Sequence, residues 1–117
     1  MFTLPDNINV MKANGEPKKP STISIYKTHL NRISEATGLT TVEQFIKQPR
    51  KVIMAIKALT EKKDDEAEAQ YLARVRVYYS AIFMVLPKEY METPNSFYRA
   101  NQKYQGGKPA DFKKPDA

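Results

Sequence analysis

The chain contains no cysteine, only one histidine and no long apolar run. Without cysteine, disulfides, thiolate metal sites and cysteine nucleophiles are excluded. No apolar stretch approaches the ~20 residues that a membrane-spanning helix needs. The first residues also lack the basic and then apolar order of a signal peptide. We therefore expect an intracellular protein that does not enter a membrane.

Positive charge exceeds negative charge along the chain. Lysine and arginine total 19 and aspartate and glutamate 13, which gives a formal net charge of +6 over 117 residues. A chain of this length forms one domain. A basic domain of this size favours an anionic partner, and nucleic acid is the commonest one. The alternative is a domain that is basic without binding an anion.

Prolines and glycines divide the chain into three parts. Residues 1–20 hold three prolines and one glycine, and we interpret them as a flexible N-terminal arm. Residues 21–105 carry periodic apolar positions and form the predicted helical domain. Residues 106–117 begin with two glycines and include two prolines, so they read as a tail or linker.

The first three helices are predicted from apolar spacing and from capping residues. A helix from Ser21 to Thr37, with Ser21 as its N-cap and Gly38 after its end, follows from apolar steps of three and four. A short second helix begins after Thr40 or Thr41. Pro49 then opens a third helix. The apolar positions are Ile23, Tyr26, Leu30 and Ile33 in the first helix, Val42, Phe45 and Ile46 in the second, and Val52, Ile56 and Leu59 in the third.

Two more helices complete the prediction. The fourth lies within the run from Gln70 to Leu86 and is stopped by Pro87. The fifth runs from about Pro94 to Tyr104, with Thr93 as its cap. Runs rich in β-branched residues have a helical period, so we expect an all-α fold of four or five helices. The residues expected to be buried together, where the first and fourth helices meet, are Tyr26, Leu30, Leu72, Val75, Tyr79 and Ile82.

The chemistry of the chain does not indicate an enzyme. The acidic residues 64–68 lack the layout of a calcium loop and are typical of a helix start. No glycine-rich phosphate loop and no Ser/His/Asp constellation can be assembled. We predict no catalytic residue, no metal site and no cofactor for this chain. Tyr26 and Tyr79 are interpreted as core residues and not as stacking platforms for single strands.

Two motifs give the chain a family resemblance. Residues 22–30 read T-I-x-x-Y-x-x-x-L directly after Lys18 and Lys19, and Ser80-Ala81-Ile82 follows in the fourth helix. Their order and basic setting resemble the N-terminal core-binding domain of tyrosine recombinases, the phage-integrase superfamily. The resemblance covers roughly residues 18–104.

The resemblance implies a compact, SAM-like helical bundle that grips duplex DNA as half of a clamp. A separate catalytic domain, downstream or in trans, would cut and rejoin the strands. His29 and Arg32 form an H-x-x-R, a pattern that belongs to the catalytic domain of that family. Here it falls inside the first core-binding helix, so we interpret both residues as helix surface. Self-association on DNA is left open, and the compartment would be the one that holds the target DNA: cytoplasm, nucleus or host cell.

The DNA contacts are expected on the motif helices and on the third helix. Lysine and arginine neutralise phosphates, and threonine hydroxyls can donate to them. Arg74 and Arg76 lie about 200° apart around one helix, so we expect Arg76 to reach the groove and the other arginine to pair with an acid or with a phosphate at the edge. The predicted DNA-binding residues are Lys18, Lys19, Thr22, Lys27, Arg50, Lys57, Arg74 and Arg76.

A second interpretation comes from another class of protein. A helical protein-interaction or structural module of a virus or mobile element would also be small, helical and basic. Its partner surface would combine Phe83 with the adaptable side chains of Met54, Met84 and Met91. Salt-dependent binding to DNA separates the two interpretations.

Overall fold

The computed structural model describes residues 1–5, 8, 15–87, 90 and 95–104. The regular elements of this part of the chain are all helices, so the all-α prediction with four or five helices is confirmed. The predicted tail, residues 106–117, and the predicted cap Thr93 lie outside the described residues. The helices are α1 (Pro20–Thr37), α2 (Val42–Lys47), α3 (Pro49–Leu59), α4 (Glu68–Val85) and α5 (Ser96–Gln102).

Helix α1 ends as predicted but begins one residue earlier. Lys19 occupies the N-cap position and Pro20 the first helical position, so Ser21 is not the cap. Proline suits that position because its φ is already helical and its missing N–H would have no partner there. At the other end, Gly38 adopts a left-handed φ of 77° and its N–H donates to the Ser34 carbonyl at 2.8 Å.

Helices α2 and α3 are joined by a single residue, Gln48. Of the two candidate caps for α2, the structure uses Thr41, whose hydroxyl accepts from the Gln44 N–H at 3.3 Å. The Gln44 side chain accepts in return from the Thr41 N–H, which completes a capping box. Pro49 opens α3 as predicted. The tight junction brings Lys47, the last residue of α2, beside the first turn of α3.

Helix α5 begins two residues later than expected. Asn95 is its N-cap, and the Asn95 side-chain oxygen accepts from the Tyr98 N–H at 2.9 Å. Phe97 is fully buried, and Ala100 and Tyr104 pack against the core.

Helix α1 packs against both α3 and α4, and their contact forms the centre of the core. Leu30, Val75, Tyr79 and Ile82 are buried there as predicted. Tyr26 is partly buried against the same cluster. Leu72 was expected in this group, but it is only partly buried and does not belong to the core cluster. The fully buried residues of α4 begin at Val75, and in the preceding turn Tyr71 packs against the core while its neighbour Leu72 does not.

Two further positions differ from the prediction. Leu59 was expected in the buried stripe of α3 but is 38% exposed, because it is the last residue of that helix. Phe2 belongs to the segment interpreted as a flexible arm, yet it is only 6% exposed. Its ring lies 4.9 Å from that of Phe45, and its N–H donates to the Asn31 side chain at 2.9 Å. The start of the chain is therefore packed onto α1 and α2.

None of the helices within the described ranges combines the length and the apolar character required to cross a bilayer.

Candidate nucleic-acid interface

The motif half of α1 carries four of the predicted DNA-binding residues. Lys19 and Lys27 are exposed, and Thr22 is partly exposed. Lys18 is partly buried, and this burial lowers its pKa below the ordinary lysine value. The first turn of α1 contains no acidic residue. The start of α1 therefore presents the exposed ammonium groups of Lys19 and Lys27, with the Thr22 hydroxyl between them in the sequence.

Lys27 has an additional neighbour that the sequence did not indicate. Together with Asn31 it borders a small hollow whose other walls are Met1, Phe2 and Leu4. The packed start of the chain thus lies directly beside one of the predicted phosphate contacts.

A denser cationic surface lies on α3. Arg50, Lys51, Met54 and Lys57 are all exposed, and the helix contains no acidic residue. Residues 50, 54 and 57 lie at spacings of four and three, which places them on one side of the helix. Lys47 joins them across the Gln48 junction. We call Lys47, Arg50, Lys51, Met54 and Lys57 the α3 basic face.

The cations of the α3 basic face have no ion pair within the part of the chain that the structure describes. Two hollows adjoin the face, one on either side of Met54. Lys47 and Lys51 were absent from the predicted contacts. The signal that could have identified them is the run K-Q-P-R-K at residues 47–51, which keeps its positive charge across a helix boundary.

The two arginines of α4 have internal partners. Arg74 Nε lies 2.6 Å from Glu66 Oε2, and Arg74 Nη2 lies 2.7 Å from Glu66 Oε1. The same Nη2 donates to the Glu61 carbonyl at 3.2 Å. This bidentate hydrogen bond from Arg74 lowers the pKa of Glu66 to about 2. Of the two partners expected for this arginine, an acid or a phosphate at the edge, Arg74 has the acid.

Arg76 was expected to reach a DNA groove, but its side chain forms a hydrogen bond within the protein. Its Nη1 donates to the Tyr104 carbonyl at 3.1 Å, which ties α4 to the end of α5. The Arg76 side chain is partly buried at this contact. Neither α4 arginine therefore joins the exposed cations of α1 and α3.

Two tyrosines of α4 form an internal cluster with Tyr104, which follows α5. The rings of Tyr79 and Tyr104 stack at 6.1 Å, and Tyr71 meets Tyr104 edge-on at 6.2 Å. The Tyr79 hydroxyl is buried without a hydrogen-bond partner in the described structure, and burial raises its pKa. Rings engaged in this way are not available as platforms for unpaired bases.

The H-x-x-R residues are part of the surface of α1. His29 Nδ1 donates to the Ile25 carbonyl at 2.7 Å, and the His29 ring meets Tyr78 edge-on at 4.5 Å. Arg32 is exposed. The described residues contain no group of three or more histidine or acidic side chains that could hold a metal ion.

The methionine surface of the alternative interpretation does not form as predicted. Met84 is 2% exposed and Phe83 packs against the core, because both lie on the buried part of α4. Met91 lies outside the described residues. Met54 alone of the described members is well exposed, at 58%, and it belongs to the α3 basic face.

Comparisons of the chain with protein-family models, with curated proteins and with solved structures found no match.

Proposed function

We propose that this chain binds duplex DNA as the non-catalytic, SAM-like core-binding domain of a tyrosine recombinase. In this proposal it holds the duplex as half of a clamp, while a separate catalytic domain cuts and rejoins the strands. The T-I-x-x-Y-x-x-x-L motif of α1 and Ser80-Ala81-Ile82 of α4 support the family. The all-α fold and the packing of α1 on α4 are consistent with it.

The α3 basic face is the observation that carries the DNA part of the proposal. Three of its four cations lie on α3, which contains no acidic residue, and Lys47 lies at the end of α2, one turn after Glu43. Like charges at such spacings repel one another, so the arrangement favours a bound anion. Lysine and arginine release counterions when they neutralise phosphates, and this release supplies sequence-independent affinity. Lys19, Thr22 and Lys27 on α1 would add contacts that orient the duplex.

The aromatic residues favour a duplex over single strands as the partner. Binding of unpaired bases uses exposed rings for stacking. No aromatic residue belongs to the α3 basic face, and Tyr78 and Tyr79 are buried. Phosphate contacts on an intact duplex are the mode that these surfaces can support.

Titration of a labelled duplex at several salt concentrations tests the proposal. We expect affinity in about the micromolar range or weaker, since half a clamp makes few contacts, and a log–log salt slope of roughly −3 to −6 for about four to six neutralised phosphates. A single strand of the same length is the control and should bind more weakly. Absence of binding at low salt, or a slope near zero, would contradict the proposal.

A second candidate function is a helical protein-interaction module. The specific observation in its favour is Met54, which is 58% exposed at the centre of the α3 basic face. A phosphate backbone gains little from an apolar side chain at that position, whereas a protein partner can bury it.

A further inference from the structure

Met54 differs from its surroundings on the α3 basic face. It is a large apolar residue with 58% of its surface exposed, and cations lie about one turn away on both sides, at Arg50 and Lys57. A single exposed apolar side chain needs no explanation by itself. Met54 is informative because two hollows adjoin it, which a partner molecule could fill.

The first hollow lies between the end of α2 and the start of α3. Its walls are Lys47, Gln48, Pro49, Arg50, Lys51 and Met54. The surface that these residues expose in the hollow is mostly apolar, as expected from lysine methylene stems, a proline ring and a thioether. The charged ends of the same lysines remain available at the rim.

The second hollow lies on the other side of Met54. Its walls are Pro49, Arg50, Ile53, Met54, Lys57 and Ser96, so it reaches from α3 to the start of α5. Ile53, which packs against the core, contributes apolar surface here. Met54 is thus a ridge between two partly apolar depressions, and cations border both.

A partner that fits this surface must do two things. It must bring negative charge to Lys47, Arg50, Lys51 and Lys57, and it must bring apolar groups to the hollows. A nucleic-acid backbone supplies the charge but no apolar side chain. An acidic peptide with apolar residues supplies both, and a flexible methionine adapts well to such a partner.

We propose that the α3 basic face docks an acidic peptide segment of a partner protein. Two apolar side chains of that segment would enter the hollows on either side of Met54, and its carboxylates would pair with the surrounding cations. This docking does not depend on the DNA-binding proposal. Where both hold, peptide and duplex compete, because Arg50 and Lys57 serve both.

Fluorescence anisotropy with defined peptides tests the inference. The probe is a labelled glutamate-rich peptide carrying two leucines, prepared with leucine spacings of three, four and seven. The matched control has serine in place of both leucines and therefore the same charge. We expect at least one leucine peptide to bind the parent protein roughly tenfold more tightly than its serine control, a factor that corresponds to about 1.4 kcal/mol.

Three variants assign the effect to the surface. Met54→Gln should remove most of the advantage of the leucine peptide and leave the affinity for the serine peptide, which binds through its charge, near that of the parent. Lys51→Gln should weaken both peptides, since it removes charge from the rim. Ile25→Gln is the control, because Ile25 is 51% exposed on α1 and lies outside the α3 basic face. Ile25→Gln should leave the affinities for the leucine peptide and for the serine peptide unchanged.

Equal binding of the leucine and serine peptides at every spacing would overturn the inference, because the face would then recognise charge alone. Loss of DNA affinity in Met54→Gln, without a change in peptide affinity, would also overturn it and would assign Met54 to the duplex. The salt dependence of DNA binding is measured separately. Failure of either proposal is therefore visible independently of the other.

Discussion

Arginines inside an apolar helix need partners, and in α4 those partners are internal. Arg74 meets the Glu66 carboxylate with two nitrogens and also the Glu61 carbonyl, so it holds residues 61–66 against α4. Arg76 holds the end of α5 through the Tyr104 carbonyl. These two arginines therefore stabilise the packing on α4 of residues 61–66, which precede it, and of Tyr104, which follows α5.

The Glu66–Arg74 pair predicts a specific acid dependence of stability. The folded-state pKa of Glu66 is about 2, below the ordinary glutamate value of 4.5. A carboxyl with a lowered folded pKa stabilises the fold above its unfolded pKa, and this contribution is lost as the pH falls. We therefore expect Glu66→Gln to reduce the free energy of unfolding at pH 6. That deficit should shrink as the pH falls from about 4.5 to about 2.

Chemical denaturation followed by circular dichroism at pH 6, 4 and 3 measures this difference. In an Arg74→Met background, Glu66→Gln should have much less effect at each pH, because the partner that lowers the pKa is absent. A deficit that stays constant over the whole pH range would show that Glu66 acts through something other than its charge.

Core residues allow a second test at the residue scale. Leu30 and Ile82 are fully buried on the facing helices α1 and α4. Replacing either with alanine should cost about 2–5 kcal/mol of unfolding free energy, since the substitution removes packed methyl groups and leaves a cavity. Denaturant titration measures this loss, provided that the variant and the parent protein have the same m-value.

Leu59→Ala is the matched control for the core substitutions. Leu59 has the same side chain as Leu30 but is 38% exposed at the end of α3. Its replacement should cost less than about 1 kcal/mol. A loss at Leu59 as large as that at Leu30 would mean that α3 is rotated relative to the described packing.

Helix ends set the geometry at the scale of elements. The single residue between α2 and α3 puts Lys47 beside Arg50 and so extends the α3 basic face beyond one helix. The capping box at Thr41 and Gln44 fixes the first turn of α2, which has only six residues. A helix this short depends on its caps and its packing more than on intrinsic propensity.

The end of α1 gives a prediction at this scale. Gly38 has a φ of 77°, and a Cβ built there meets no atom within 4 Å, so the cost of a side chain would come from the backbone conformation alone. We expect Gly38→Ala to lower the unfolding free energy by about 1 kcal/mol. Gly38→Asn should lower it less, because asparagine tolerates the left-handed region better. Thermal and chemical denaturation of both variants check this, and equal losses would contradict it.

Local chemistry explains what could be predicted about the whole molecule. Gly38 ends α1 and Pro49 begins α3 because these residues restrict or permit particular backbone angles. The apolar period identified Leu30 and Ile82 as core residues because periodicity reports the buried face of a helix. It failed for Leu72 because the neighbouring Tyr71 packs against the core instead and meets Tyr104, a contact that leaves no periodic signal.

Individual hydrogen bonds between distant parts of the sequence could not be predicted. Phe2 reaches Asn31 across 29 positions, and Arg76 reaches Tyr104 across 28. Single side chains that meet in this way leave no periodic signal. The prediction of the candidate site suffered most from this. Arg74 and Arg76 were expected to contact DNA, but their internal partners remove them from the set of exposed cations. The positions of Arg50 and Lys57 on one face followed directly from helical spacing.

The distribution of charge over the molecule gives the last prediction. Arg50 and Lys57 are exposed cations without ion pairs in the described part of the chain, whereas Arg76 is bound to the Tyr104 carbonyl. The double variant Arg50→Gln, Lys57→Gln should therefore weaken DNA binding and reduce the magnitude of the log–log salt slope by roughly 2, about 0.9 for each lost phosphate contact. Arg76→Gln should leave the slope near that of the parent.

Duplex titrations at several salt concentrations give the slopes, once circular dichroism has established that each variant is folded. The double variant Glu66→Gln, Arg74→Gln is the control for charge, because it removes an ion pair without changing the net charge. If Arg76→Gln reduces the magnitude of the slope as much as the loss of one α3 cation does, Arg76 also contacts a phosphate, which its remaining guanidinium N–H groups can do while Nη1 holds the Tyr104 carbonyl. Loss of a phosphate contact weakens binding to all sequences alike, so the groove-facing role expected for Arg76 from the sequence would require in addition that Arg76→Gln relaxes sequence specificity.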